Sequence, residues 1–237
     1  MYRITFAQDI GPKMHMFKIE APEIAKKAKP GQFIILMIGE KGERIPLSIA
    51  DWDTREGTVM VVFAERGKTT EDLARLKTGD FIFSLVGPLG LPAEIESFGS
   101  VMGVAADYGV ATIVPVARAL KQVGNKVTLL IRAPDKTLLS QEARLREVSD
   151  ELIISTDDGS VGEQDFIIDM LKELLPSRKV DRVFCIAPTC IMRYCCDVTK
   201  SAHIKTIVSL APLMVDGTGM CGTCRVMVGG ETKFACV

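Results

Sequence analysis

The chain has 237 residues, long enough for two compact units or one large one, and long enough to bury a sizeable core. Apolar residues make up 47% and charged residues 25%, which excludes a mainly disordered chain. Lys and Arg number 29 against 30 Asp and Glu, so the charge gives no reason to expect nucleic acid or an anionic membrane as partner.

Apolar runs such as Phe33–Ile38 fall far short of the roughly 18 residues of a spanning helix. The opening Met1–Asp9 has no basic stretch followed by an apolar core, so no secretory signal is expected. Seven cysteines without a signal point to a reducing, cytoplasmic compartment in which cysteines bind metal or stay free.

In chain order, short β-branched or aromatic-rich segments come first: His15–Ala21, Gln32–Ile38, Ile45–Ala50, Thr58–Ala64 and Asp80–Val86. Turn signals at Pro30-Gly31, Lys41-Gly42-Glu43, Arg55-Glu56-Gly57 and Thr78-Gly79-Asp80 separate them, a rhythm that predicts a small antiparallel barrel. Thr69 or Thr70 is expected to cap one helix over Glu71–Leu76. After Gly87-Pro88-Leu89-Gly90 strands and helices alternate. Strands are expected at 100–106, 126–132, 151–156, 181–187 and 205–210, and helices at 111–123, 140–148 (Ser140 as cap), 163–175 and 190–200. That alternation predicts a parallel sheet covered on both faces. Residues 211–237 break the pattern with three cysteines and several glycines.

The last segment reads Asp216-Gly-Thr-Gly-Met-Cys221-Gly-Thr-Cys224, with Cys236 after eleven further residues. A C-x2-C pair alone suits zinc, a redox disulfide or an iron–sulfur cluster. The full spacing is the plant-type [2Fe–2S] pattern with a carboxylate in the first position. Glycines 217, 219 and 222 would let backbone N–H groups approach cluster sulfides. Upstream, Gly67-Lys68-Thr69-Thr70 is not a P-loop, because Val62 stands where the first glycine belongs. It still offers N–H groups, a lysine and hydroxyls to a pyrophosphate, and Arg44-Ile-Pro-Leu-Ser48 offers a guanidinium and a hydroxyl.

The order Arg44-Ile-Pro-Leu-Ser48, Gly67-Lys-Thr-Thr70, Gly87-Pro-Leu-Gly90 resembles the FAD barrel of the ferredoxin–NADP reductase superfamily. With Pro115-Val-Ala-Arg-Ala-Leu120, Thr156-Asp-Asp-Gly-Ser160 and the Asp216–Cys224 motif, the whole chain resembles a narrower family. This is the small subunit of electron-bifurcating NADH-dependent ferredoxin:NADP oxidoreductases and sulfide dehydrogenases. Electron-transfer subunits of dihydroorotate dehydrogenase are related, and the Asp-first motif favours the former two.

The resemblance implies an antiparallel FAD-binding β-barrel over 1–98, a parallel NAD(P)-binding-like α/β domain over 99–210 and a [2Fe–2S] segment over 211–237. It implies Ser48 near the flavin N5, Pro46 and Leu47 along the ring, and Arg44, Gly67, Lys68, Thr69 and Thr70 at the pyrophosphate. It makes Asp216, Cys221, Cys224 and Cys236 the cluster ligands. The implied function is an electron-transfer flavoprotein subunit passing electrons between a pyridine nucleotide and iron–sulfur partners. Its main partner would be a larger glutamate-synthase-like flavin and iron–sulfur subunit, with ferredoxin or a hydrogenase module beyond it. The family continues well past the last cysteine, so Val237 is expected to be a boundary of the sequence rather than the true end.

The second domain departs from that pattern. Where the family has Gly-Gly-Gly-x-Gly for NAD(P), this chain has Ala105-Ala106-Asp107-Tyr108-Gly109. Two methyl groups crowd the phosphate approach. A carboxylate at about 4 Å costs on the order of 4 kcal/mol at an effective dielectric of 20, roughly three decades of affinity. The family's Gly-Pro and Met-Met element is reduced to Ala187-Pro-Thr-Cys-Ile-Met192, while Asp157 at the end of a strand can meet a ribose or simply form a turn. Tyr108 can take the nicotinamide's place against the flavin, leaving an internal relay in a hydrogenase-type or NAD(P)H-oxidising complex. Two rival readings remain: a self-sufficient NAD(P)H:acceptor reductase, which requires that Ala105–Gly109 still admit the nucleotide, and a non-enzymatic regulatory or scaffolding subunit that uses its cluster as a redox sensor. Cys185, Cys190, Cys195 and Cys196 are expected as buried small apolar residues, and His15 and His203 have no evident catalytic partner.

Overall fold

The computed structural model describes residues 1–133, 142–162 and 166–237, so Ser140 and the first residues of the helix expected from 163 lie outside it. The chain divides into two compact units, one of Met1–Ala93 with Ala211–Val237 and one of Glu94–Leu210. The division precedes residue 98 because the 94–98 stretch is bonded into the second unit. Asn125 is buried and accepts from the N–H groups of Phe98 and Gly99 while donating to Glu96 O and Leu120 O. No described helix is long and apolar enough to cross a membrane.

The first unit is a seven-stranded antiparallel sheet in the order β6-β1-β2-β5-β4-β3-β7. Its strands are β1 (Tyr2–Gly11), β2 (Met14–Glu20), β3 (Phe33–Met37), β4 (Ile45–Asp53), β5 (Thr58–Ala64), β6 (Phe81–Ile82) and β7 (Ser84–Leu89). Strand β1 has no counterpart among the strands expected from sequence. Of its ten residues only Ile4 is fully buried, so it lacks the alternation that marks β2, where Phe17 and Ile19 are buried and Lys18 is not. The single strand expected over 80–86 is two short ones, and the Gly87-Pro88-Leu89 motif continues β7 against β3. Phe17, Ile19, Ile34, Leu36, Val61, Phe63 and Leu73 form the barrel core. Each such side chain contributes roughly 1.5–3 kcal/mol of burial. A short helix α1 (Pro22–Ala25) lies between β2 and β3, and α2 (Lys68–Ala74) follows β5.

The second unit is a parallel sheet in the order β10-β9-β8-β11-β12: β8 (Ser100–Ala106), β9 (Lys126–Ala133), β10 (Glu151–Thr156), β11 (Arg182–Ile186) and β12 (Thr206–Val208). Helices α3 (Gly109–Gln122) and α4 (Glu142–Val148) cover one face. Helices α5 (Ile167–Leu174) and α6 (Thr189–Ser201) pack on the other, against Met102, Val104, Ala106 and Leu130. Burial on both faces explains why β8 after Ser100 reads as an unbroken run of apolar residues and glycine. The sheet order reverses between β8 and β11, and ligands of such sheets sit beyond the carboxyl ends of the strands at that point.

The first unit is completed by the hairpin β13 (Arg225–Val228) and β14 (Glu231–Phe234).

Candidate functional site

Alternate residues of β3 serve two cores. Ile34 and Leu36 face the barrel interior, while Phe33 and Ile35 pack with Leu89, Met214, Cys224 and Cys236 on the other side. Directly opposed residues of an antiparallel pair share a face. Pro46 opposite Ile35 and Ser48 opposite Phe33 therefore lie on the face that carries the cysteines. Leu47 is opposite Ile34, half-buried, and packs against the barrel core.

Strand β4 changes partner at this point. It pairs with β3 through Ile45–Ser48 and with β5 from Ile49 to Asp53, which leaves the β5-facing backbone edge of 45–48 outside the ladder. The turn 67–70 is tied to the same place, because Thr69 Oγ1 donates to Glu43 Oε2 at 2.8 Å, next to the exposed Arg44. Helix α2 begins at Lys68, so Gly67 rather than Thr69 or Thr70 occupies the cap position. Thr70 instead accepts from the N–H groups of Arg66 and Gly67 at 2.8 and 3.1 Å, folding the turn on itself. A Cβ at Gly67 would meet no heavy atom within 4 Å, so the space before these helix N–H groups is open. Lys68 is paired with Asp72 at 2.6 Å on the surface, a bond weak enough to exchange for a phosphate.

His15, for which the sequence shows no partner, has two. Its Nδ1 lies 2.7 Å from Asp9 Oδ1 and its Nε2 lies 2.8 Å from Glu65 Oε1, in a buried position beside Phe63. The group fastens the end of β5 just ahead of the Arg66-Gly67 turn. Separations of 6 and 50 residues leave no local signal for it.

The four expected cluster ligands are brought together as two pairs. Register within the β13–β14 hairpin, Arg225 against Phe234, closes the eleven-residue spacing and sets Cys224 and Cys236 side by side, with their Sγ atoms 3.1 Å apart and both buried. Asp216 and Cys221 form the other pair, at the surface. The Asp216 carboxylate accepts from Thr218 N at 2.8 Å and Cys221 N at 2.7 Å, which holds it below the usual carboxylate range. Hydrogen bonds from Thr223 lower the Cys221 thiol, whereas burial, with Cys224 beside it, raises that of Cys236. Among the described residues no three such groups converge on one point. Two pairs suit a two-iron cluster, one pair to each iron, better than a single tetrahedral zinc. Gly217 serves packing as well as conformation: at φ +71°, a Cβ there would stand 2.7 Å from Ile35 Cδ1 and 2.9 Å from Leu89 Cδ1.

In the second unit, Asp107, Tyr108 and Gly109 form the turn from β8 into α3. Gly109 is needed by the fold itself, since a Cβ there would lie 1.7 Å from Ile186 O. Asp107 takes a left-handed φ of +53°. The Tyr108 hydroxyl donates to Ala187 O at 3.0 Å, so its bond is to the loop after β11. Asp157 is paired with Arg132 at 2.7 Å, and Asp158 accepts from Ser160 N at 2.9 Å in a local turn. Cys185 and Cys195 are buried as expected, with the Cys185 thiol pushed up by Cys195 and by burial. Cys196 is half-buried, and Cys190 is exposed, contrary to expectation.

No protein-family model matches the chain. It is 45% identical over 235 residues to a Thermotoga maritima protein described as a dihydroorotate dehydrogenase B (NAD(+)), electron transfer subunit homolog, covering 99% of this chain and 82% of that one. The chain belongs to this electron-transfer-subunit family. Members of the family are subunits of oxidoreductases, and so is this chain. A solved structure of the NADH-dependent reduced ferredoxin–NADP oxidoreductase, studied for flavin-based electron bifurcation, matches with a TM-score of 0.94 at 42% identity. The match covers 100% of this chain and 86% of that one. Phthalate dioxygenase reductase shares the fold, with a TM-score of 0.68 at 15% identity over 100% of this chain and 93% of its own. The antiparallel barrel followed by a parallel α/β unit is thus the ferredoxin–NADP reductase fold.

Proposed function

We propose that this family member carries FAD on the barrel and a [2Fe–2S] cluster on the Asp216–Cys236 segment, and relays electrons to a larger flavin and iron–sulfur subunit. The observation that carries the reading is the pairing of the four candidate ligands, Asp216 with Cys221 at the surface and Cys224 with Cys236 packed on the face that also holds Pro46 and Ser48.

A flavin supplies interchange between two-electron and one-electron chemistry, and the cluster passes electrons singly. The chain's own work is placement. Ser48 and the free β4 edge would bind the heterocycle, and Arg44 with the 67–70 turn would hold the pyrophosphate. Phe33 and Ile35 keep Cys224 and Cys236 out of water. No acid or base of the protein is required. The Asp216 carboxylate would give one iron a harder ligand than thiolate, and the two N–H bonds it accepts fix its orientation.

The test is chemical analysis and electron paramagnetic resonance of the anaerobically purified chain. The reading expects stoichiometric FAD, equal iron and acid-labile sulfide, and a signal that appears on reduction. Zinc in place of iron, or iron without sulfide, would refute the cluster.

A further inference from the structure

The nucleotide-binding half of this fold is defined by the crevice between the carboxyl ends of β8 and β11. In that crevice a dinucleotide pyrophosphate meets the first turn of the helix after β8. The glycines of such a turn have separate jobs: one tightens the turn, one lets the backbone reach the phosphates, and one lets the helix pack against the strand. Here the last job is visibly kept. The missing Cβ of Gly109 makes room for Ile186 O, 1.7 Å from where that atom would stand. The positions with the first two jobs are filled. Ala105 and Ala106 are fully buried at the end of β8, and Asp107 holds a left-handed backbone normally left to glycine. This lip of the crevice therefore bears a carboxylate where a diphosphate would need donors.

Across the crevice runs a bond of the chain's own. Tyr108 stands on the β8 lip, and its hydroxyl donates to Ala187 O on the β11 lip at 3.0 Å. The phenol thus spans the gap that a dinucleotide enters. Further along the same strand ends, Asp157 is matched to Arg132, itself 5.8 Å from the Phe166 ring.

We infer that this chain does not take a pyridine dinucleotide at its switch-point crevice, which Tyr108 bridges and Asp107 makes repulsive to phosphate. Resting on the cofactor reading above, a nicotinamide's hydride, one proton with two electrons, is accepted on another chain. This one then receives electrons from a protein partner.

The test is calorimetric titration of the full chain with NADH and with NADPH, a readout that does not depend on flavin or iron. The expected result is no saturable binding up to about 1 mM, against the micromolar constants of working nucleotide sites. Saturable binding of either nucleotide in the micromolar range would overturn the inference. A variant carrying Ala105→Gly, Ala106→Gly, Asp107→Gly and Tyr108→Val should bind up to about a thousandfold tighter than the parent, the scale set by one carboxylate near a phosphate. If that variant folds and binds no better, the assignment to these residues is wrong. Tyr108→Phe, which keeps the ring and frees Ala187 O, should bind no more than about tenfold tighter; full recovery from it alone would refute the part given to Asp107. Loss of the visible flavin and iron bands would strike the cofactor reading and leave this result standing.

Discussion

Gly109→Ala separates a glycine kept for packing from one kept for a ligand. The added Cβ would stand 1.7 Å from Ile186 O and 2.6 Å from its carbonyl carbon, both main-chain atoms. Ordinary contact needs about 3.4 Å, so α3 and β11 must move apart by about 1.7 Å, with no flexible side chain to absorb the change. Overpacking of this kind costs about 1–3 kcal/mol, and the absence of a soft neighbour puts the cost here at about 3. For a chain of this size that lowers Tm by roughly 6–12 °C. Differential scanning fluorimetry or calorimetry reads it directly. Gly67→Ala is the matched control, with both proteins and the parent stripped of flavin before melting: a Cβ there meets nothing within 4 Å and the backbone is extended, so Tm should stay within about 2 °C. A Gly109→Ala protein that melts with the parent would refute the packing argument and free Gly109 for a phosphate.

Gly67→Ala should nonetheless weaken FAD retention about tenfold or more, read as flavin fluorescence released on dialysis, because the methyl group fills the open space before the first turn of α2. His15→Ala takes a partner from Glu65 and from the exposed Asp9 and opens a gap beside Phe63, and should cost about 1–2 kcal/mol in urea unfolding at pH 7, with part of the loss recovered by His15→Gln. Asp216→Cys should keep the cluster and alter its absorption and resonance spectra, whereas Cys236→Ser should lose most of the iron. Equal iron in the parent and Cys236→Ser would exclude Cys236 as a ligand. Arg178 holds Glu151 below its ordinary value of 4.5, so the pair's contribution is present above that pH and lost as pH falls through the lowered value. Arg178→Ala should therefore cost about 0.5 kcal/mol at pH 7, and the difference should vanish towards pH 3.

Most elements are legible in the sequence because their burial is periodic. β2 alternates along Met16–Glu20, β5 and β8 are almost wholly apolar, β9 holds an apolar centre at Leu129–Ile131, and the turns between the barrel strands carry glycine. β1 escapes because it buries little, and its pairing with β2 supplies what its own pattern lacks. The ligand spacing of the last segment is readable, but its division into two pairs depends on a hairpin register that no single residue announces. Alternation along β4 puts Leu47 on the core face with Ile34 and Ser48 on the other with Phe33, a division that depends on the pairing with β3. The three contacts that most shape the sites are His15 with Asp9 and Glu65, Thr69 with Glu43, and Tyr108 with Ala187. They span 6 to 79 residues, and only the fold brings them together.

The central claim is that one flavin and one two-iron cluster share this chain, and reductive coulometry under anaerobic conditions tests it most directly. The account predicts uptake of three electrons per chain, two tracked by flavin bleaching and one by the appearance of the cluster resonance. Uptake of two with no resonance, or of none, would contradict it.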